Sequence, residues 1–309
     1  MDKKARILLL NPPTAPASSQ IILGLAYLGS FLRKLGHQVK IIDATAQRRP
    51  YSKKEIEKVI IDYRPHFVGL TLLITNIPQT YQYIKELKKL RVSIVVGGPH
   101  ANSLPEEVLK SGADVVCIGE GEKTIAELAE YFLGNISLSA INGICFLDKN
   151  YSAVYTKPRD LIADIDSIPF PDFNDFPIKN YTGDSAVNSN PIFWSIFTSR
   201  GCPFNCTFCS SHNVFGRRAR MRSALNIFNE IRALVEDFGV EKITFQDDEV
   251  LCSRTRFLEL CDLIINARMS IKMSIRTRID SIDKEVILKA RAAGLTRISF
   301  GIENWNDET

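Results

Sequence analysis

The chain has 309 residues, which is long enough for two ordinary domains with apolar cores. Apolar residues make up 45% and charged residues 24%, a composition typical of a globular protein and not of a disordered one. The net charge of +4 is too small to indicate nucleic acid or an anionic membrane as a partner. The apolar run at 7–10 is too short for a signal peptide or a membrane span, so we expect a cytoplasmic protein with no membrane span.

Short apolar runs alternate with amphipathic stretches over residues 6–134. Repeated strand–helix units of this length predict an α/β fold with a doubly wound parallel sheet and helices on both faces. Ligands bind beyond the carboxyl ends of the strands in such sheets. The predicted strands are 6–10, 39–42, 67–72, 92–96 and 114–118.

Polar or glycine-rich segments follow all five predicted strands. Glycines at such points let the backbone approach a large flat ligand closely. Each segment alone is weak evidence, since paired glycines also make ordinary turns. In chain order, the candidate residues are Asn11, Pro12, Asp43, Thr75, Asn76, Gly97, Gly98, His100, Gly119, Glu120 and Gly121.

Strands and helices resume after a segment rich in proline, aspartate and aromatic residues. That segment, 136–190, predicts a connector with some strand character near 143–147. Helical apolar spacing separates the later strands, which predicts the opening of a β/α barrel whose active residues gather at the carboxyl ends of the strands. The predicted strands are 192–198, 242–246, 271–276 and 297–301.

Three cysteines follow the first of these strands in the spacing C-x3-C-x2-C. Cys202, Cys206 and Cys209 are one thiolate short of the set that fills a [4Fe–4S] cluster, so one iron would stay open to another ligand. A zinc site completed by His212, or three unrelated buried cysteines, are the alternatives. A disulfide is not favoured, because the number of cysteines is odd. The other four, Cys117, Cys145, Cys252 and Cys261, are predicted to be small buried residues.

The cysteine spacing, with Phe208 directly before the last cysteine, resembles the radical S-adenosylmethionine (SAM) enzymes. Together with the Gly-Gly-Pro-His segment at 97–100 and the Gly-Glu-Gly-Glu segment at 119–122, it resembles the cobalamin (B12)-binding domain-containing radical SAM family over nearly the whole chain. The resemblance implies a Rossmann-like cobalamin-binding domain at 1–135, a connector at 136–190 and a radical SAM core at 191–309. We predict four of about six β/α units, and therefore expect a partial, apparently truncated barrel from a fragment of a longer protein.

The family resemblance also implies roles for individual residues. Cys202, Cys206 and Cys209 would hold the [4Fe–4S] cluster, whose electron would cleave S-adenosylmethionine to a 5′-deoxyadenosyl radical. Cobalamin would lie against the eleven candidate residues at the carboxyl ends of the first five strands. For each charged residue in the second half, a salt bridge at the barrel rim is the alternative. The residues that would bind S-adenosylmethionine are Phe208, Asp247, Asp248, Glu249, Arg276 and Glu303.

One departure from the family pattern concerns the lower face of cobalamin. Many cobalamin domains carry an Asp-x-His-x-x-Gly motif whose histidine binds cobalt, but here Thr45 stands two residues after Asp43. That loop therefore supplies no histidine ligand. His100 is a conceivable polar contact, and a loop histidine held by backbone hydrogen bonds is the alternative for this residue. For the domain as a whole, the alternative to cobalamin binding is an empty, vestigial domain.

The implied activity is methyl transfer to an unactivated carbon or phosphorus of an unidentified small molecule or natural product. An external electron donor of the flavodoxin or ferredoxin type would be required. The alternatives are a radical SAM oxidative cyclase or ring-forming enzyme, and a non-catalytic cobalamin carrier or sensor. A methylthiotransferase would need a second cysteine set, but residues 1–140 contain only Cys117. The basic run at 216–222 has no interleaved aromatic residues, so nucleic acid is not favoured.

Overall fold

The chain divides into two compact units, one of residues 1–162 with 168–181 and the other of residues 163–167 with 182–309. The structure, a computed structural model, describes residues 4–13, 21–46, 50–176, 181 and 193–302, without the side chains of Asn76 and Phe193. The predicted site residue Glu303 lies outside the described residues.

Within the described residues, the first unit contains a seven-stranded sheet and six α-helices. Its strands are β1 (Arg6–Asn11), β2 (Gln38–Asp43), β3 (Phe67–Thr71), β4 (Ile94–Gly97), β5 (Val115–Cys117), β6 (Ile144–Leu147) and β7 (Ala153–Tyr155). Its helices are α1 (Leu23–Lys34), α2 (Lys53–Tyr63), α3 (Ile77–Lys88), α4 (Pro99–Ser103), α5 (Pro105–Lys110) and α6 (Gly121–Phe132).

The strand order in this sheet is β2-β1-β3-β4-β5-β6-β7. The first five strands run parallel, while β6 and β7 continue the sheet antiparallel. β1 is buried on both faces, since its residues 7–10 are at most 1% exposed, and it pairs in parallel with both of its neighbours. Burial on both faces explains why this strand is a continuous apolar run and not an alternating one.

The second unit contains a four-stranded parallel sheet and a short antiparallel pair. Its strands are β8 (Phe193–Ile196), β9 (Ser199–Arg200), β10 (Arg220–Met221), β11 (Lys242–Phe245), β12 (Lys272–Thr277) and β13 (Leu295–Phe300). Its helices are α7 (His212–Phe215), α8 (Ala224–Phe238), α9 (Arg254–Asn266) and α10 (Lys284–Ala292). The parallel sheet has the order β13-β12-β11-β8, and β9 pairs with β10.

Local sequence signals explain where the helices of the second unit begin and end. Ser223 and Asp283 accept hydrogen bonds from the first turns of α8 and α10, and Gly239 ends α8 in the left-handed region at φ 63°. Trp194, Phe245 and Phe257 form part of the core, each at most 2% exposed. The strands β8 and β11 are therefore packed into the core just before their carboxyl ends.

The predicted α/β fold class is confirmed. Every predicted strand is present with boundaries shifted by a few residues, and β7 is an additional strand within the range predicted as the connector. All seven cysteines are free, and three of the four outside the motif are buried as predicted, whereas Cys252 is partly exposed. Within the described ranges, no helix has the length and apolar character needed to cross a membrane.

Candidate cofactor sites

The carboxyl ends of the first four parallel strands bring several predicted residues to one edge of the first sheet. Asn11 at the end of β1 pairs with Asp43 at the end of β2, and Gly97 at the end of β4 pairs with Thr71 at the end of β3. This edge is where an open α/β sheet binds its ligand.

Asp43 is fully engaged by other residues of the protein. It is 1% exposed, and its Oδ1 accepts hydrogen bonds from Asn11 Nδ2 (2.8 Å) and from the backbone N and Oγ1 of Thr45 (3.1 and 3.0 Å). Its Oδ2 accepts from the Tyr181 hydroxyl at 2.6 Å. Burial, and then the charge of Asp43, raise the pKa of Tyr181, so the hydroxyl keeps its proton and remains a donor. Asn11 Oδ1 is buried with no partner among the described residues, so one acceptor remains at this edge.

The four glycines of this edge differ in what surrounds them. A Cβ on Gly98 would lie 2.8 Å from the carbonyl oxygen of Leu72, and one on Gly121 would lie 3.1 Å from the Leu28 side chain. A Cβ on Gly97 would make an ordinary contact with Cys117 at 3.7 Å. Gly119 has φ +82°, and a Cβ there would meet no atom within 4 Å. A flat ligand therefore fits best against the backbone of Gly119.

Several other residues that were predicted to bind cobalamin form contacts within the protein or differ in exposure. His100 Nε2 lies 2.8 Å from the Tyr81 hydroxyl. Burial, with Glu107 nearby, raises the pKa of Tyr81 to about 12, so this hydroxyl stays protonated at neutral pH. Glu120 is 5% exposed, and its Oε2 accepts a hydrogen bond from the backbone N of Ile162 at 2.7 Å. Pro12 is buried, whereas Thr75 is exposed.

The three motif cysteines lie on the loop after β9, and all three are partly exposed. The loop begins at Gly201, where φ is +84° and a Cβ would lie 2.7 Å from the carbonyl oxygen of Arg218. A turn closes the second half of the motif, since the backbone N of Cys209 donates to the carbonyl oxygen of Cys206 at 3.2 Å. Phe208 is 67% exposed beside it.

The chemistry of this donor set fits an iron–sulfur cluster. In the part of the chain that the structure describes, no group of three His, Cys, Asp or Glu side chains is arranged to hold a metal ion. A cubane cluster does not require such convergence, because each thiolate binds a different iron. Burial raises the pKa of Cys202, with a smaller opposing effect from the backbone N–H of Phe204, so binding a metal would have to displace a proton.

The acidic segment after β11 contains two buried carboxylates and one exposed one. Asp247, 1% exposed, accepts hydrogen bonds from Thr198 and Ser199. Glu249, also 1% exposed, accepts from the backbone N of Leu251 (3.0 Å) and of Arg278 (2.7 Å) and from the Thr277 hydroxyl.

Asp248 is exposed and accepts a hydrogen bond from the Ser211 hydroxyl. Of the three acidic residues in this segment, it alone presents a carboxylate that a ligand could reach.

An arginine missed by the sequence analysis lies over the cysteine loop. Arg276 is an exposed residue of β12, whereas the Arg278 guanidinium lies 4.2 Å from the centre of the Phe204 ring and forms an ion pair with Asp280. Its position just beyond the end of β12, where barrel enzymes place functional residues, is the signal that could have identified it.

Comparison with known protein families assigns both halves of the chain. Residues 18–129 match the B12 binding domain, and residues 196–309 match the Radical SAM superfamily. The chain belongs to the radical SAM proteins that carry a B12-binding domain. The cysteine loop and the edge at Gly119 fall in the second and first of these matches respectively.

Relatives with curated descriptions match nearly the whole chain. An uncharacterized methyltransferase of Pyrococcus horikoshii is 33% identical over 98% of the chain. Cytidylyl-2-hydroxyethylphosphonate methyltransferase of Streptomyces wedmorensis is 25% identical over 97%. Anaerobic magnesium-protoporphyrin IX monomethyl ester cyclase of Cereibacter sphaeroides is 31% identical over 90%. The chain spans 66%, 65% and 46% of the lengths of these relatives, respectively.

Two solved structures share the fold. The cobalamin-dependent S-adenosylmethionine radical enzyme OxsB, with aqua-cobalamin and S-adenosylmethionine bound, matches 97% of the chain with a TM-score of 0.81 and 20% identity. The radical S-adenosylmethionine methyltransferase TsrM from Kitasatospora setae, with tryptophan and a SAM analogue bound, matches 99% with a TM-score of 0.80 and 19% identity. The chain covers 44% and 60% of those two chains.

Proposed function

We propose that this chain is the cofactor-binding part of a cobalamin-dependent radical SAM enzyme that transfers a methyl group to an unactivated carbon or phosphorus. The observation that carries the proposal is the loop with Cys202, Cys206 and Cys209 at the carboxyl end of a parallel sheet, in a chain that also matches a B12-binding domain. Two of the relatives are named as methyltransferases, which supports methyl transfer.

The proposed domains are 1–135 for cobalamin, 136–190 as the connector and 191–309 for the cluster and S-adenosylmethionine. When bound, the cluster supplies the electron that cleaves S-adenosylmethionine, and cobalamin supplies the methyl group. The three cysteines would hold the cluster. In the first domain, the open space beside Gly119 would receive the corrin, and the buried Asn11 Oδ1 would accept a hydrogen bond from one of its amides.

The residues around the cysteine loop would orient S-adenosylmethionine. The exposed Phe208 ring would stack on the adenine. The exposed carboxylate of Asp248 suits the methionyl ammonium, and the Arg278 guanidinium suits the methionyl carboxylate. Asp247 and Glu249 would support the site without contacting the ligand, because their carboxylates are already bound within the protein. Arg276 and Glu303 remain candidates by position in the sequence.

An oxidative ring-forming reaction is the second candidate activity. It is favoured by the cyclase of Cereibacter sphaeroides, which is 31% identical to the chain. A non-catalytic cobalamin carrier or sensor would bind cobalamin without a cluster that responds to S-adenosylmethionine.

The proposal also concerns the partner and the compartment. Reduction of the cluster requires an electron donor, which we propose to be a flavodoxin- or ferredoxin-type protein. The seven free thiols and an oxygen-sensitive cluster fit the reducing cytoplasm.

Anaerobic reconstitution with iron and sulfide tests the proposal. About four irons per chain, and an electron paramagnetic resonance (EPR) spectrum of the reduced protein that changes on adding S-adenosylmethionine, are expected. Added cobalamin should bind and shift its visible spectrum. Zinc retained in place of iron, or a cluster indifferent to S-adenosylmethionine, would refute the radical mechanism. Cobalamin binding without any cluster would favour the carrier.

A further inference from the structure

We propose that Asp247 and Arg256 position the cysteine loop by holding Thr198 between them, and that retention of the cluster depends on this grip. The inference rests on the proposed function, because it concerns the loop to which the cluster is assigned. Asp247 and Arg256 act here as positioning residues, since their side chains bind Thr198 and other parts of the protein.

Thr198 is bound through its backbone and its side chain at once. Its backbone N donates to both carboxylate oxygens of Asp247 at 3.1 Å, and its Oγ1 donates to Oδ1 at 2.7 Å. Its carbonyl oxygen accepts from Arg256 Nη1 at 2.6 Å, and its Oγ1 accepts from Nη2 at 3.2 Å. A second donor to this carbonyl is the backbone N of Arg222 at 3.0 Å. Asp247 therefore binds the backbone N–H of Thr198, Arg256 binds its carbonyl oxygen, and both bind its hydroxyl.

The contacts that hold Thr198 continue along the chain to the first cysteine. Ser199 also donates its hydroxyl to Asp247, and Ser199 and Arg200 pair with Met221 and Arg220 across the β9–β10 ladder. Gly201 then passes so close to the carbonyl oxygen of Arg218 that a Cβ would lie 2.7 Å from it. Residues 198 to 200 are thus held by hydrogen bonds and strand pairing, and Gly201 is buried, before Cys202 begins the motif.

The loop beyond this anchor has much less packing of its own. The three cysteines are partly exposed, and Phe204 and Phe208 are 40% and 67% exposed. The position of the first thiolate therefore depends on the segment before it more than on contacts around it.

Burying two charged side chains has a high free-energy cost as a means of stabilising a barrel. Asp247 is 1% and Arg256 8% exposed, and buried ions lose hydration that apolar side chains would not have to give up. Such a network does fix one geometry, because each hydrogen bond has a direction and each lost partner leaves a buried charge unsatisfied. Holding the loop in one place is the role that this arrangement fits.

The decisive variants change Thr198 and leave both charges in place. Thr198→Val keeps the side-chain shape and removes the hydroxyl bonds to Asp247 and Arg256, whereas Thr198→Ser keeps them. Thr244→Val is the matched control: Thr244 lies on β11, and its buried Oγ1 has no partner among the described residues. Asp247→Asn tests the other side of the contact. If that variant fails to fold, the two Thr198 variants decide the question.

Three readouts on the full chain separate positioning from general stability. They are the rate at which the reconstituted protein loses iron to a chelator, the EPR change on adding S-adenosylmethionine, and the urea midpoint of the apo protein. Thr198→Val and Asp247→Asn should lose iron about tenfold faster or more, the scale at which supporting residues affect metal sites. Their EPR change should also be smaller. Thr198→Ser and Thr244→Val should behave as the wild type.

The outcomes distinguish this inference from the proposed function. Wild-type iron retention and EPR spectra in Thr198→Val would overturn the inference alone. The inference would also be overturned if the rate of iron loss depended on the urea midpoint in the same way in Thr198→Val and in Thr244→Val. The hydrogen-bond network would then act only through the stability of the protein. A wild-type chain that forms no cluster responsive to S-adenosylmethionine would overturn the proposed function, and the inference with it.

Discussion

The two sheets use buried carboxylates at their carboxyl ends for different purposes. In the first unit, Asp43 binds the hydroxyl of Tyr181 and Glu120 binds the backbone of Ile162, so both acids hold segments that follow the sheet in sequence. In the second unit, Asp247 holds the residues that precede the cysteines, and Glu249 holds the residues that follow β12. The acids of the first unit thus fix the surroundings of an open space, while Asp247 fixes the segment that leads into the cysteine loop.

This difference predicts how a substitution at each site would affect cofactor binding. The edge of the first sheet offers backbone at Gly119 and a buried amide oxygen at Asn11, so its ligand would be held mainly by shape and by weak polar contacts. The second site offers thiolates, each of which would bind one iron. Loss of a single thiolate should remove the cluster, whereas added volume at Gly119 should weaken cobalamin binding by degrees.

The largest effect is expected from Cys206→Ala. It removes one of three cluster ligands, so nearly all iron should be lost on reconstitution and cleavage of S-adenosylmethionine should be abolished, as measured by iron analysis and release of 5′-deoxyadenosine. Cys261→Ala is the control, because Cys261 is a buried cysteine of α9 in the same unit. A Cys206→Ala protein with a normal iron content would contradict the assignment of the loop.

A smaller effect is expected from Gly119→Leu, for which the chain offers a closely matched control. Gly119 and Gly134 have φ +82° and +84°, and a Cβ on either would meet no atom within 4 Å. Either substitution should lower the free energy of unfolding by about 1–2 kcal/mol, the cost of a left-handed non-glycine residue. Only Gly119→Leu should weaken cobalamin binding, by about tenfold or more if the side chain costs about 1.4 kcal/mol in the complex.

Cobalamin titrations followed by absorbance measure this difference. Equal affinities for Gly119→Leu and Gly134→Leu would show that the space beside Gly119 is not the cobalamin site, and would weaken the comparison between the two sheets.

Tyr181→Phe should destabilise the first unit without altering the cluster. It removes one hydrogen bond to the buried Asp43 carboxylate, which costs about 1–3 kcal/mol when a buried partner is left unsatisfied. Urea unfolding measures the loss, and Tyr151→Phe, at an 85% exposed tyrosine, should change little. Equal stability of the two variants would mean that Tyr181 does not anchor the connector.

The smallest effect is a pH dependence at the opposite edge of the first sheet. His37 is 7% exposed and its Nδ1 accepts a hydrogen bond from the backbone N of Ala5 at 3.3 Å. Burial lowers the pKa of His37 despite the nearby charge of Glu130, so the folded state favours the neutral ring. The unfolded state then binds more protons, and the free energy of unfolding should fall as pH drops below about 6.5, by at most about 1.4 kcal/mol per pH unit.

His37→Asn keeps an acceptor and cannot titrate, so urea unfolding between pH 7.5 and 5 should show a shallower dependence in this variant. An unchanged slope would assign the pH dependence to other groups.

The fold and the position of the cysteine loop could be predicted because their signals are local. Apolar runs of strand length separated by helical spacing gave the strand order along the chain, and the motif around Cys206 carries its own spacing. The strand β7 was harder to identify, since it has only three residues, none of them buried.

The roles of the acidic residues could not be predicted in the same way. Asp247, Asp248 and Glu249 are adjacent in sequence and look equivalent, yet only Asp248 is exposed. Which of these residues are buried depends on hydrogen-bond partners 28 to 49 residues away in the sequence, such as Thr277 and Thr198. The same is true of Arg278, whose contact with Phe204 joins two loops that are distant in the chain.

The sequence by itself therefore determined the α/β class, the two sheets and the spacing of the three motif cysteines, because strand periodicity and motif spacing are properties of neighbouring residues. Only the tertiary structure decided which glycine faces open space, which carboxylates are consumed by the protein and which residues hold the cysteine loop. Those properties arise from burial and from hydrogen bonds between distant segments, since a carboxylate becomes a support or a ligand-binding group according to the partners that folding brings to it.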